Sequence, residues 1–415
     1  MLVIDDAGTA VGRRWPTALR AFRYRDFRLF WGGLLISVIG TWMQNAAQAW
    51  LVYELTGSSL SLGLVGACGT LPLLFLTLPS GVIADRFRKR NIVLFTQTMA
   101  MIQAFILAAL IYAHLVQVWH VMVLAALLGA VNALDMPTRQ AMVVELAGKE
   151  DLLNAISLNS SAFNAGRIIG PAIGGVLIAE VGTATCFLIN GISFAAIIVA
   201  LAFVRPRPPA QGGKAKMVSQ IADGIAWAKG QPIVRSLLLL TAVASIFGMS
   251  YATLLPVFAK DVFHTGPKGY GFLMSSYAAG ALTAAVGLSA VGHRWRLGQP
   301  LTFGMLVFPA GLLIVAVSPS YVIAVAALFL TGVGMMSFNA VSNTILQKTP
   351  PDELRGRVMS IRALLFAGMM PLGSLQVGAV GEWLGPRAAV AIGGAVCLAA
   401  AAVAWRRVPG LRRSS

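Results

Sequence analysis

Residues Thr183–Val204, TATCFLINGISFAAIIVALAFV, form 22 consecutive positions without one charged side chain. A helix rising 1.5 Å per residue crosses the roughly 30 Å hydrocarbon core of a bilayer in about 20 residues. Hydrocarbon offers no partner for a backbone N–H or C=O, so a run of this kind must close its hydrogen bonds within itself as a helix. Such runs start near residues 29, 61, 91, 117, 152, 183, 234, 269, 299, 321, 357 and 386, and short alternating barrel strands are absent. The expectation is an all-α membrane protein with twelve transmembrane helices. Composition agrees, since 57% of the 415 residues are hydrophobic and only 11% are charged, outside the range of soluble domains.

Basic side chains test that count, because Lys and Arg of short loops stay on the cytoplasmic side. With twelve spans, 28 of the 32 basic residues fall on the face shared by both termini, including Arg13, Arg14, Arg20, Arg23, Arg25 and Arg28 before the first span and Arg406, Arg407, Arg412 and Arg413 after the last. The opposite face holds Lys260, Lys268 and Arg387, and Arg167 alone lies within a span. Both termini are therefore expected in the cytoplasm. The net charge of +17 is dispersed among loops, so topology explains it better than a nucleic-acid surface, and no nucleic-acid partner is expected. The first run is too long for a cleaved signal peptide. Cys68, Cys186 and Cys397 sit in separate spans, so neither a disulfide framework nor a metal site is expected.

The chain divides in the middle. RPRPPAQGGKAK, residues 205–216, is rich in Pro, Gly and charge, the composition of a connector. The reading is a six-helix bundle with a basic tail over 1–203, a cytoplasmic linker over 204–233 and a second six-helix bundle with a basic tail over 234–415. In the linker Met217, Ile221, Ile225 and Trp227 have roughly helical spacing, so that piece is either an amphipathic surface helix or a plain connector. The halves resemble each other weakly, as parallel repeats do. An offset of 202 pairs Asp151 with Glu353, Gly166 with Gly368 and Glu180 with Glu382, and an offset of 208 pairs Gly63 with Gly271 and Arg86 with Arg294.

Polar side chains interrupt several spans. Thr41, Gln44, Asn45 and Gln48 follow i, i+3, i+4, i+7 spacing, which gathers them on one helix face. Asn164 and Arg167 share a face of the fifth span, and Asn339 and Asn343 one of the tenth. Tyr251, Tyr277 and Met369 offer soft or aromatic walls. Four polar groups facing lipid would be costly, so the first-span stripe meets either water or another helix.

Two motifs place the chain. Gly81-Val-Ile-Ala-Asp85-Arg86-Phe-Arg88-Lys89-Arg90 resembles the loop signature of the major facilitator superfamily, with Arg88 where a second glycine is usual. Gly81 allows close helix approach, and Asp85 suits the amino end of a facing helix, the natural partner being the start of span 11 near Gly356-Arg357. The matching stretch of the second half, Gly287 to Arg294, has no acid opposite Asp85. Gly166-Arg167-Ile-Ile-Gly170-Pro171-Ala-Ile-Gly174-Gly175 resembles the signature of that superfamily's drug and proton antiporters, with Ser157 at the position of the upstream glycine. FRYRDFRLFW, YELTGSSLSLGLVG, ALDMPTRQAMVVEL and DELRGRVMSIRAL extend the similarity to the enterobactin-exporter-like branch, which handles siderophores and macrolides.

The resemblance implies two pseudo-symmetric six-helix bundles, alternating access, and a central cavity lined by span 1. Thr41, Gln44, Asn45, Gln48, Asn164, Arg167, Tyr251, Tyr277, Asn339, Asn343 and Met369 are then the cavity candidates. Gly166, Gly170, Pro171, Gly174 and Gly175 are a helix-packing motif. Asp85, Arg86 and Gly81 belong to gating. No ATP-binding Gly-x-x-x-x-Gly-Lys-Ser/Thr loop occurs, so an ion gradient, with protons the coupling ion, is the expected energy source. Asp135 is the first candidate carrier, paired either with Arg139 at i+4 or with Arg167 across the bundle; a purely structural ion pair is the competing reading. Arg167 serves either an anionic cargo or the charge of Asp135. The expected function is proton-coupled export of an amphiphilic small molecule from a bacterial inner membrane, by a monomer in contact with lipid and without a cofactor. Import and lysophospholipid flipping are the alternatives within the fold. A membrane-embedded metal enzyme is disfavoured because His114, His120, His264 and His293 are scattered at loops.

Overall fold

The computed structural model describes residues 3–4, 10–11, 16–148, 150–205, 217–291 and 296–410, without the side chains of 3–4, 10–11, 17–18, 77–79, 81–82, 84–85, 217–223 and 291. It is helical almost throughout. Strand pairing among the described residues is confined to β1 (Val3–Ile4) and β2 (Ala10–Val11).

The first half contains α1 (Arg25–Thr56), α2 (Ser59–Arg86), α3 (Lys89–Tyr112), α4 (Val118–Ala147), α5 (Leu152–Val181) and α6 (Thr183–Ala202). Then comes α7 (Met217–Gly230), packed on span 11, where Gly224 lies against Arg357 and Ile361. The seventh span, Pro232–Val262, is broken: α8 (Pro232–Val243) gives way to a wider five-residue turn, a tighter 3₁₀ stretch Met249–Leu254, the short α9 (Leu255–Val257) and a second wide turn. Pro256 lacks the N–H that would continue the i→i−4 ladder, so the helix cannot pass through it unchanged. The second half continues with α10 (Gly266–Val291), α11 (Gly298–Val317) and α12 (Tyr321–Lys348). Span 11 is α13 (Asp352–Ala367) plus α14 (Met370–Leu384), and α15 (Pro386–Arg407) is the last.

Among the described residues, eleven segments are long and apolar enough to cross a membrane. α1 completes the twelve: it is 32 residues long, and its polar stripe dilutes its apolar character. The helix starts agree with the apolar runs to within three residues except at α1 and α13, which begin at Arg25 and Asp352 rather than near 29 and 357. Both open on a charged turn, RDFR and DELRGR, which extends the helix beyond the apolar part. Span 11 also breaks at residues 368–369, because Pro371 cannot donate to the preceding turn.

Within the first bundle α1 packs against α5 and α6, α3 against α4 and α6, and α2 against α4; in the second, α12 packs on α10 and α11, and α15 on α11 and α14. Large apolar side chains such as Phe75, Phe95, Val123, Val322 and Trp383 are exposed, as the outer face of a bundle solvated by lipid requires. The 3₁₀ turn Thr17–Arg23 ties the amino tail down, with Arg23 2.7 Å from Asp151 and from Glu150 and the Ala21 N–H donating to Asn154.

Candidate functional site

Two glycine seams join the bundles at the end remote from the termini. A Cβ on Gly271 of α10 would sit 2.3 Å from the Pro171 carbonyl oxygen and 3.1 Å from Gly175 Cα of α5. A Cβ on Gly63 of α2 would sit 2.5 Å from the Ser374 carbonyl oxygen and 3.1 Å from Gly378 Cα of α14. Such contacts are open only to residues without a side chain. The repeat is visible here, since Gly63 and Gly271, aligned by the 208 offset, each meet a glycine of the other bundle.

Polar contacts cover the seams. Lys268 pairs with Glu180 at 2.6 Å, Glu382 accepts from Ser58 Oγ and the Leu60 N–H at 3.0 and 3.1 Å, and the Tyr53 hydroxyl donates to Asp261. Glu180 and Glu382, aligned by the 202 offset, each reach the opening of a helix in the opposite bundle. Beneath them Trp50 stacks on Tyr270 and the Ser275 hydroxyl donates to the Ile168 carbonyl at 2.6 Å. Toward the basic end no comparable seam joins the halves among the described residues. The close packing described between the halves is therefore concentrated at the end remote from the termini, with only a sparse α2–α13 contact toward the basic end.

A cavity of about 310 Å³ lies between α1, α2, α4 and the broken seventh span. Its polar lining is Asn45, Gln48, Thr70, Asn132 and Thr253, its apolar lining includes Val52, Leu62 and Leu128, and no charged residue lines it. The volume is at the lower end of small-molecule sites. A second cavity, of about 360 Å³, lies among α10, α11 and α12 inside one bundle, with Phe303 and Leu288 in its wall.

The first-span stripe splits. Asn45 and Gln48 line the cavity, and Thr41 is half-buried with its hydroxyl donating to the Ser37 carbonyl at 2.8 Å. Gln44 instead points into the first bundle, bonded to Gln103 at 3.0 Å and to Asn190 at 2.7 Å, and is 1% exposed. Gly40 leaves the room that Asn190 and Ser193 occupy. Gln44 is thus corrected from cavity lining to interhelical glue.

Gly166, Gly170 and Gly174 face α1, where a Cβ on each would come within 2.6 to 3.3 Å of Val38, Ile39, Trp42 or Met43 atoms, while Gly175 and the Pro171 carbonyl serve the seam with α10. The motif therefore packs two interfaces, one inside a bundle and one between bundles.

Asp135 is 1% exposed, accepts from Thr96 Oγ1 at 2.7 Å and Gln97 Nε2 at 3.0 Å, and lies 2.5 Å from Arg139 Nε. Gln97 in turn accepts from Ser37 at 3.3 Å. Of the two pairings open in the sequence, the i+4 one is present. Arg167 lies elsewhere, between the rings of Trp42 at 5.6 Å and Tyr277 at 5.1 Å, and Tyr277 packs on Tyr251 at 5.8 Å. Asn164 bonds its own helix at Ser160. Asn339 accepts from Arg362 of α13, Asn343 is half-buried one turn further along α12, and Met369 is half-buried at the α13–α14 break. Arg86 ends α2 exposed. The side chains of Gly81 and Asp85, and His293 and Arg294, lie outside the described residues, as do residues 206–216 of the expected linker. Asn132, Thr70 and Thr253, single polar residues in apolar runs, carried no periodic signal and were legible only once packed. No group of three or more His, Cys, Asp or Glu able to hold a metal gathers among the described residues.

A sequence model of the transmembrane secretion effector family matches residues 16–412. The chain belongs to that family. It is a multi-pass membrane transporter of the major facilitator superfamily, not an enzyme. Among curated proteins it is similar to the staphyloferrin A transporter of Staphylococcus aureus, 29% identical over 353 residues covering 84% of this chain and 87% of that one. It is 25% identical over 356 residues to the multidrug efflux pump Tap of Mycolicibacterium fortuitum, covering 83% and 87% of the two chains. With macrolide efflux protein A of Streptococcus pyogenes it shares 22% identity over 364 residues, 85% and 89% of the two. Among solved structures, a peptide transporter bound to sulfate has TM-score 0.77 at 13% identity, covering 94% of this chain and 95% of that one. A bacterial homologue of the lysosomal transporter Spinster, inward-facing and unoccupied, has TM-score 0.72 at 12% identity and 97% coverage of both. At those identities the structures establish the fold, and the superfamily read from the loop and fifth-span motifs is the family found.

Proposed function

We propose that this transporter exports an amphiphilic small molecule from the cytoplasm of a bacterium across its inner membrane, driven by protons. The carrying observation is the amide-lined cavity between α1, α2, α4 and the seventh span, beneath an end that two glycine seams close. With both termini in the cytoplasm, as the basic loops favour, the sparsely joined basic end faces the cytoplasm and would load cargo there. Val52, Leu62 and Leu128 suit an apolar body, and Asn45, Gln48 and Asn132 suit its hydrogen-bonding groups. Opening the seams while the basic ends close would carry the cargo across. The division into bundles 1–203 and 234–415 about a cytoplasmic linker, acting within a single chain, supplies the two rocking bodies.

Asp135 is the proposed proton carrier. Protonation would release Arg139 and weaken the bonds from Thr96 and Gln97, changing how α3 and α4 hold each other. Three relatives named for staphyloferrin A, multidrug or macrolide handling favour a cargo of this size and character. The test is transport into inside-out vesicles under an imposed proton gradient, with erythromycin, a hydroxycarboxylate siderophore and a lysolipid as cargoes. Gradient-dependent accumulation of at least one cargo, abolished by Asp135→Asn, is expected. Accumulation that ignores the gradient, or none for any cargo, defeats the proposal.

A further inference from the structure

Arg167 is the sixteenth of thirty residues in α5, midway through the span. A cation at that depth is costly unless it is paired or wetted. Among the described residues no carboxylate lies within ion-pair distance of it, and Asp135 is engaged by Arg139. What surrounds Arg167 is aromatic: Trp42 of α1, and Tyr277 of α10. Cation–π contact compensates only part of a charge's lost hydration.

The cluster joins both bundles, since Trp42 and Arg167 belong to the first and Tyr277 and Tyr251 to the second. It adjoins the seam at Ile168 and Ser275 on the side toward the basic end. Trp42 lies one turn before Asn45, and Tyr251 two residues before Thr253, so two members of the cluster are close in sequence to residues that line the amide-lined cavity. Arg167 is half-buried rather than enclosed, which leaves donors available to a group arriving between the bundles.

We infer that Arg167, with Trp42, Tyr251 and Tyr277 around it, is a subsite for an oxyanion carried by the cargo, its rings receiving the apolar or aromatic body attached to that group. The inference rests on the proposed cargo path and narrows it to amphiphiles bearing a carboxylate, sulfonate or phosphate. A planar guanidinium matches such a group with two parallel N–H donors, whereas Lys offers a point charge. The uncharged cavity beside it would hold the cargo's neutral remainder.

Dansyl-phenylalanine and its primary amide are matched probes that differ in one negative charge. Binding of each to the purified full-length protein is followed by dansyl fluorescence. The wild type is expected to prefer the carboxylate by about tenfold, the size of one charge-assisted contact net of desolvation. Arg167→Gln is expected to abolish the preference by weakening only the carboxylate, and Arg167→Lys to keep part of it. Equal wild-type affinities would overturn the oxyanion subsite while leaving the cargo path intact, and this comparison stands even where R167Q does not fold. Unchanged preference in folded R167Q would overturn the assignment to Arg167. Binding of neither probe would overturn both the subsite and the proposed path.

Discussion

Gly271→Ala isolates the seam between α5 and α10. The added methyl would lie 2.3 Å from the Pro171 carbonyl oxygen and 3.1 Å from Gly175 Cα. Close carbon–oxygen contacts settle at about 3.3 Å or more, so the helices must part by about 1 Å. Both partners are backbone, with no flexible side chain to swing aside. Overpacking of this kind costs about 1 to 3 kcal/mol. The strain acts only when the seam is closed, so the ratio of closed to open molecules should shift about 5- to 150-fold toward open. Alanine also improves helix propensity by about 1 kcal/mol, but α10 is helical in both states and that gain cancels. Gly287→Ala on the same helix is the control, because a Cβ there meets nothing within 4 Å. Spin labels at Val181 and Leu384, exposed on opposite bundles at the sealed end, report the distance by pulsed electron resonance in a background with Cys68, Cys186 and Cys397 replaced. G271A should enrich the long-distance population and G287A should match wild type. Indistinguishable distributions for G271A and wild type would refute the seam as the closing device.

Asp135→Asn leaves Arg139 in a nearly enclosed site without its counter-charge, so thermal unfolding in detergent should show a loss of about 3 to 5 kcal/mol, and D135N/R139Q should recover much of it. Asn190→Ala removes a donor from buried Gln44 and should cost about 1 to 3 kcal/mol of stability while cargo transport per folded molecule stays normal. Asn132→Leu, in the cavity wall, should do the reverse: unfolding within about 0.5 kcal/mol of wild type, with transport of a hydrogen-bonding cargo reduced about tenfold.

The spans were legible because hydrocarbon leaves the backbone one choice, and the repeat was legible in Gly63 with Gly271 and Glu180 with Glu382. The stripe on α1 was legible only as a face. Gln44 and Asn45 are adjacent on that face, yet one meets α3 and α6 and the other the cavity, because the boundary between neighbours and open space is set by packing that one helix does not encode. Asn132, Thr70 and Thr253 come from three elements and converge only in the folded molecule. Arg167 was legible as an intramembrane cation; its aromatic partners on two bundles were not, since Trp42 and Tyr277 lie 235 positions apart.

The central claim is a wetted cavity lined by α1, α2, α4 and the seventh span, open on one side of the membrane at a time. It is tested most directly by Asn45→Cys, Asn132→Cys and Gln44→Cys, introduced singly into the cysteine-free protein and exposed to a membrane-impermeant maleimide from either side. The first two should react from the cytoplasmic side and far more slowly from the other, with Gln44→Cys inert from both. Silence at positions 45 and 132 from both sides, in correctly inserted protein, would contradict the account.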